Sequence, residues 1–340
     1  MTDPGSSHTV LESRRSTKDR IALQIVREAE TAGWNAPDTT PRCRVFEGTS
    51  GRTGISLAMV ARAMGYDAGR CFSSPPRIAL PDDTAVEKAQ LIENMGATVV
   101  KVRPVSISNR AHYVNVARDR ARQFAAQQGE GGGARGLFAD QFESPMNWRT
   151  HYRTTGPEIW AQTAGRVVAG AGTGGTMAGV GKFLKTRDER VQLVVADPPP
   201  GSGLFNKVKH GVLFSDTEVE GKRRRHQVDT VVEGIGSNWM TGNLEEIMDV
   251  VDDAIKVTDA EAISMSRKIL EQEGLFLGSS SEVNLVASHK LALALNADRE
   301  ATGAETPGWI CDSSHRHLSK FWNDPFLARH GFLDSPPSLS

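Results

Sequence analysis

Residues 170–181 read GAGTGGTMAGVG and follow directly on the apolar run Val167-Val168-Ala169. Glycines at 170, 172 and 175 spell G-x-G-x-x-G, the pattern of a strand that turns into a helix around a phosphate. Without Cβ atoms, backbone N–H groups can close on an anion at the helix start. The stretch predicts a phosphate cradle and leaves open whose phosphate it holds. A dinucleotide is one answer, because Asp197 ends the next strand-like run at close to the ~20-residue spacing of a ribose-binding acid. Two features oppose it. Thr173 and Thr176 add hydroxyl donors suited to a phosphate monoester, and a second loop, EGTSGRTG at 47–54, also joins a strand to a helix start and offers another anion site.

Outward from that loop, short β-like runs alternate with helical spacing. Ile21, Ala22, Ile25, Val26 and Ala29 share a helix face within Lys18–Thr31. Arg44–Phe46, Arg77–Leu80, Thr98–Val102, Leu137–Ala139, Val167–Ala169, Gln192–Ala196 and Trp309–Cys311 read as strands. Helices are expected over Ile55–Met64, Arg110–Gln128, His151–Thr163 and Val283–Leu295. Two more open at the capping boxes Thr84-x-x-Glu87 and Thr258-x-x-Glu261. Residues 198–243, rich in glycine and proline, read mostly as loop. Such alternation predicts a parallel-sheet α/β protein in two lobes, 12–148 and 149–332. The tail LDSPPSLS is expected to lack structure.

The bulk numbers narrow the partners. Forty basic and forty-one acidic residues give a net charge of −1, which does not point to nucleic acid or an anionic membrane. The basic run Lys222–Arg225 reads as a solvated loop. No apolar stretch approaches the ~20 residues of a membrane span, and the first fifteen residues lack the apolar centre of a secretory signal. Cys43, Cys71 and Cys311, widely spaced and odd in number, form neither a disulfide framework nor a zinc site, so a reducing compartment is expected: the cytosol, or mitochondria.

Seven motifs stand in one order: STKDRIAL, TSGRTGISLA, DQFESPMN, TTGPEIW, GTGGTMAGVG, EGIG and EGLFLGSSS. In that order, over roughly residues 16–330, the chain resembles the cysteine synthase and cystathionine β-synthase family. These are pyridoxal-phosphate enzymes with the two-lobed, three-layer α/β/α fold of the tryptophan synthase β-subunit (fold type II), and the style here is closest to fungal cysteine synthase-like proteins. The resemblance implies that Lys18 forms the Schiff base with pyridoxal 5'-phosphate and serves as general base at Cα. It implies a phosphate cup of Gly172, Thr173, Gly174, Gly175 and Thr176. Ser280 then meets the pyridine nitrogen, and Thr49, Ser50, Thr53 and Gln141 grip the substrate α-carboxylate. A hydroxyl at Ser280 does not enforce ring protonation as a carboxylate would, which favours prompt β-elimination. Read without the resemblance, Ser280 would simply cap the helix near Val283.

The implied reaction is β-replacement on O-acetyl-L-serine by sulfide, in a homodimer, with no metal. Cystathionine β-synthase-type replacement on serine is the alternative, and a ligand-binding homologue without activity is the rival from another class. Departures from the family motivate that rival. The family's G-N-T-P-L segment is missing, so the fold is expected with its N-terminal part shortened. Glu12–Ser16 replaces a glycine-rich approach to Lys18, and Arg52 replaces the asparagine that meets the cofactor's phenolic oxygen. An arginine there is donor-only and permanently charged, and it could pair with that oxygen, take a second anionic group on a substrate such as O-phosphoserine, or block the site. Gly69–Arg77 reads as an insertion, and Glu282 replaces a small residue beside Ser280.

Overall fold

A computed structural model describes residues 16–33, 43–64, 76–126, 128–129, 132–133, 135–162, 167–198, 202–214, 218–219, 222–223, 230–297 and 310–333. Lys18–Met146 forms one compact unit; Asn147 onward, with Ser16 and Thr17, forms another. Glu12–Arg15, residues 69–75, Trp309, Arg224, Arg225 and the tail from 334 lie outside the described residues.

The N-terminal unit is a four-stranded, all-parallel sheet. In chain order its elements are α1 (Thr17–Thr31), β1 (Cys43–Gly48), α2 (Arg52–Ala63), β2 (Arg77–Pro81), α3 (Val86–Asn94), β3 (Thr98–Val102), α4 (Tyr113–Ala126) and β4 (Arg135–Phe138). The strand order is β3-β2-β1-β4, with Val45 opposite Leu137 and Phe46 opposite Arg77. β1 is central and shielded on both faces, as a parallel strand between helix layers must be. The face of α1 that carries Ile21, Ala22, Ile25 and Val26 packs on Cys43, Val45 and Leu57. Ile55, Ile78, Leu80 and Ile92 form a second cluster.

The C-terminal unit follows the same logic. It contains α5 (Met146–Arg153, whose first residue belongs to the other unit), α6 (Thr155–Gln162), β5 (Val167–Gly170), α7 (Gly175–Arg187) and β6 (Leu193–Asp197). These are followed by α8 (Leu204–His210), α9 (Gly242–Met248), β7 (Asp253–Lys256), α10 (Asp259–Glu273), α11 (Ser279–Ala297) and α12 (Asp324–Arg329). Its parallel sheet runs β7-β6-β5, with Val168 opposite Val194 and Ala254 opposite Val195. The central β6 is buried along its whole length. Its side chains alternate between two apolar clusters, Leu193 and Val195 on one side and Val194 and Ala196 on the other.

Several local expectations are corrected. The Thr84 capping box does not form. Thr84 N–H bonds to Pro81 O in a turn, Ala85 stands at the N-cap position, and α3 starts one residue later. The Thr258–Glu261 box is present. Ile310–Asp312 is no strand, because the Cys311 N–H is taken by Ser281 Oγ at 2.9 Å rather than by a neighbouring strand. Ser280 is no N-cap, since α11 opens at Ser279 and Ser280 lies in its first turn. Within 198–243, α8 forms where a loop was expected; Gly211 ends it at φ +77, a conformation that glycine takes without strain.

Candidate active site

In the N-terminal unit, β1 delivers Glu47 and Gly48 into the loop Thr49-Ser50-Gly51 before α2. Thr49 is buried, its N–H bonded to Ala79 O of β2, and its Oγ1 accepts the Gly51 N–H at 3.0 Å. Gly51 sits at φ +120, and a Cβ there would lie 2.6 Å from Cδ of Lys88, a lysine fully buried on α3. Ser50 is the half-exposed member of the loop. Arg52 and Thr53 open α2, both buried.

Gln141 arrives from the loop after β4, 88 residues from Thr53, and meets it directly. Thr53 Oγ1 donates to Gln141 Oε1 at 2.5 Å, while Gln141 Nε2 donates to Glu47 Oε1 at 2.9 Å and to Gly48 O at 3.0 Å. The backbone just before it is strained: Asp140, at φ 49, is the non-glycine residue with positive φ among the described residues. Lys18 lies half-buried in the first turn of α1, close enough for its charge to act on Glu47. Thr49, Ser50, Arg52, Thr53, Gln141 and Lys18 therefore belong to one unit. Hydroxyl and amide groups dominate its loop, a suitable environment for a carboxylate.

In the C-terminal unit the glycine loop is held as bare backbone. A Cβ on Gly172 would come within 2.3 Å of Gly234 O, and one on Gly174 within 2.7 Å of the Asn243 backbone. Gly174 has φ +92 and precedes α7, whose first turn offers N–H groups that a helix leaves without internal acceptors. The threonines are fixed from behind. Asn147 Nδ2 donates to Thr173 Oγ1 at 2.9 Å, and Thr241 Oγ1 donates to Thr173 O at 3.1 Å. Thr176 Oγ1 pairs with His151 Nε2 at 3.1 Å, and His151 Nδ1 with Thr155 Oγ1 at 2.8 Å. Ser280 is buried on α11, which is tied to the end of β5 by the bond from Gly170 N–H to Asn284 Oδ1 at 2.6 Å. Gly172–Thr176 and Ser280 thus share the second unit.

Asp197 does not behave as a ribose-binding acid. It is buried, accepts Ser202 Oγ and Phe205 N–H, and is pushed up to about 6 by burial, against those hydrogen bonds. Its carboxyl is committed to the turn that follows β6. Sequence reasoning missed the supports Asn147, His151 and Thr241, although Asn147 ends the DQFESPMN motif. It also missed Glu47, which is fully buried. Among the described residues, no cluster of three or more His, Cys, Asp or Glu side chains could hold a metal, and no helix is long and apolar enough to cross a membrane.

The family model described as pyridoxal-phosphate dependent enzyme matches residues 11–302. A Neurospora crassa protein named cysteine synthase 2 is 49% identical over 312 residues, 90% of this chain and 64% of its own length. A Schizosaccharomyces pombe protein of the same name is 44% identical over 331 residues, 96% of this chain and 79% of its own. Among solved structures, the O-acetylserine dependent cystathionine β-synthase of Helicobacter pylori superposes with a TM-score of 0.67 at 26% identity, covering 90% of this chain and 85% of that one.

Proposed function

The chain belongs to the pyridoxal-phosphate-dependent enzymes, in the branch of the cysteine synthases and cystathionine β-synthases, and from that premise we propose that it performs β-replacement on an O-activated L-serine. The substrates are O-acetyl-L-serine and sulfide, and the products are L-cysteine and acetate. The observation that carries this reading is the glycine loop, in which Cβ atoms at 172 and 174 would strike backbone and a 13-residue helix starts directly behind. That loop fits a phosphate monoester such as the cofactor's own, with Thr173 and Thr176 as hydroxyl partners.

Bound there, pyridoxal 5'-phosphate supplies a sink for the electron pair at the substrate Cα. Lys18 Nζ would hold the cofactor's aldehyde, and its amine would take the proton from the substrate Cα. Thr49, Ser50, Thr53 and Gln141 hold the α-carboxylate, which fixes the Cα–H bond relative to that amine. The Cβ–O bond breaks and acetate leaves. Sulfide adds at Cβ, and Lys18 returns the proton to Cα. Ser280 would face the pyridine nitrogen, and Arg52, buried at the start of α2, would pair with the phenolic oxygen or with a second anionic group of the substrate. The protein works as a pair of identical subunits in a reducing compartment, the cytosol or mitochondria, where the buried Cys43 and Cys311 stay in the thiol form.

The visible spectrum of the purified protein tests the reading. A cofactor band that disappears with borohydride and is absent from Lys18→Ala supports it, and cysteine must form from O-acetylserine and sulfide. A protein that takes up no added pyridoxal phosphate overturns it in favour of an inactive homologue. Turnover of serine with homocysteine alone redirects it to the cystathionine-forming reaction.

A further inference from the structure

Glu47 is the last side chain of β1 before the Gly48–Gly51 turn, and its carboxyl is fully shielded from water. One oxygen accepts from Gln141 Nε2; the other, Oε2, has no hydrogen-bond partner. An unpartnered buried carboxylate is costly, so a reason for its presence is needed. The Gln141 amide gives a geometric one. Its nitrogen has two hydrogens, and both are engaged, one by Glu47 and one by Gly48 O. A ligand carboxylate can receive a hydrogen from Gln141 only by taking it from one of those two acceptors. The backbone carbonyl of Gly48 is neutral and does not titrate, but the side chain of Glu47 does.

We propose that Glu47 is a positioning residue of the α-carboxylate loop, competing with the bound amino acid's carboxylate for a Gln141 amide hydrogen and so setting how tightly the loop takes its ligand. The inference rests on the reading of Thr49, Ser50, Thr53 and Gln141 as the carboxylate grip. An ionised Glu47 is the stronger acceptor and also repels a second carboxylate; a protonated one is a weaker acceptor and yields the amide hydrogen more readily. Burial pushes Glu47 up to about 8, opposed by the side-chain and backbone N–H groups of Gln141, reinforced by Asp140 in the loop after β4 and opposed weakly by Lys18 on α1. Asp140 itself is pushed up by burial and restrained by Arg118 of α4, 4.0 Å away, with Glu143 acting in the raising direction. Near neutral pH the residue is therefore protonated and the grip is open to a carboxylate.

The test is calorimetric titration of the holoenzyme with L-alanine between pH 6.5 and 9.5, with L-alanine methyl ester as the ligand lacking a carboxylate. Wild type, Glu47→Gln and Gln141→Ala are compared. Wild-type affinity for L-alanine is expected to fall by up to about tenfold per pH unit above 8 relative to Glu47→Gln, which cannot ionise. Parallel pH profiles in wild type and Glu47→Gln overturn the proposal. If wild type does not distinguish L-alanine from its ester, or Gln141→Ala binds L-alanine as tightly as wild type, the carboxylate reading itself fails. Should Glu47→Gln not fold, proton uptake by wild type on binding L-alanine, corrected by the ester, is measured in two buffers at pH 9. Uptake supports the proposal and its absence overturns it.

Discussion

Two loops in this molecule solve one physical problem in different ways. Both leave a parallel strand and enter a helix, and in the proposed function each meets an anion. The loop at 49–53 does so with side chains, hydroxyls backed by the Gln141 amide and a buried carboxyl that titrates. The loop at 172–176 does so with backbone, its glycines packed so closely that a methyl group would collide at 172 or 174, and its threonines braced by uncharged Asn147 and Thr241 and by His151. In the proposed function, the anion that stays bound is the one met by fixed backbone dipoles. A ligand that must come and go is served by groups whose hydrogen bonds can be exchanged.

The sharpest way to break the comparison is to put a Cβ into the backbone loop. Gly174→Ala combines a positive φ with a contact to the Asn243 backbone that cannot yield. Cofactor affinity, measured from the visible band, is expected to fall more than ~100-fold, and melting temperature to drop as well. Next in size is Gln141→Ala, with an expected KM increase for O-acetylserine of roughly 10–100-fold from the loss of about 1.5–3 kcal/mol of charge-assisted hydrogen bonding. Cofactor affinity should be unaltered, and a loss of the visible band would show that the two loops are not separable in function. Asn147→Ala removes a support and not a ligand: about 1–2 kcal/mol of stability and a few-fold in cofactor affinity are expected, measured by thermal melting and cofactor titration.

The smallest effect sets Glu282 against Glu47. Both are buried carboxyls pushed up to about 8, but Glu282 has no hydrogen-bond partner on either oxygen, only the charge of Arg267 opposing its burial. Its native state binds the proton more tightly than the unfolded chain, so the stability it confers is complete below about 4.5 and is lost as pH rises through about 8. Glu282→Ala is expected to melt a few degrees higher than wild type at pH 9, with the difference shrinking or reversing at pH 5. A constant difference across that range would show that Glu282 does not titrate.

Much of this was legible in the residues. The 3.6-residue spacing of Ile21, Ile25 and Ala29 specified α1, and the Thr258–Glu261 box specified the start of α10, because each signal is complete within a few turns of neighbouring chain. The glycine and threonine pattern at 172–176 marked a strand-to-helix turn of bare backbone, since only backbone without Cβ can close so tightly. Local signals failed where an equally local competitor prevailed. Thr84 lost its cap to the turn at Pro81, and Cys311 lost its strand to the hydroxyl of Ser281.

Composition and spacing thus determined by themselves most of the alternation of strands and helices, the two glycine-containing strand-to-helix loops and the motifs of the family. Only the tertiary structure decided that Gln141 closes on Thr53 across 88 residues, that Asn147 reaches Thr173 across 26, and that Glu47 and Glu282 lie out of water's reach. The reason is that helix spacing, turns and glycine freedom are properties of neighbouring residues. Desolvation and hydrogen-bond partnership depend on whatever distant chain the fold places against a side chain.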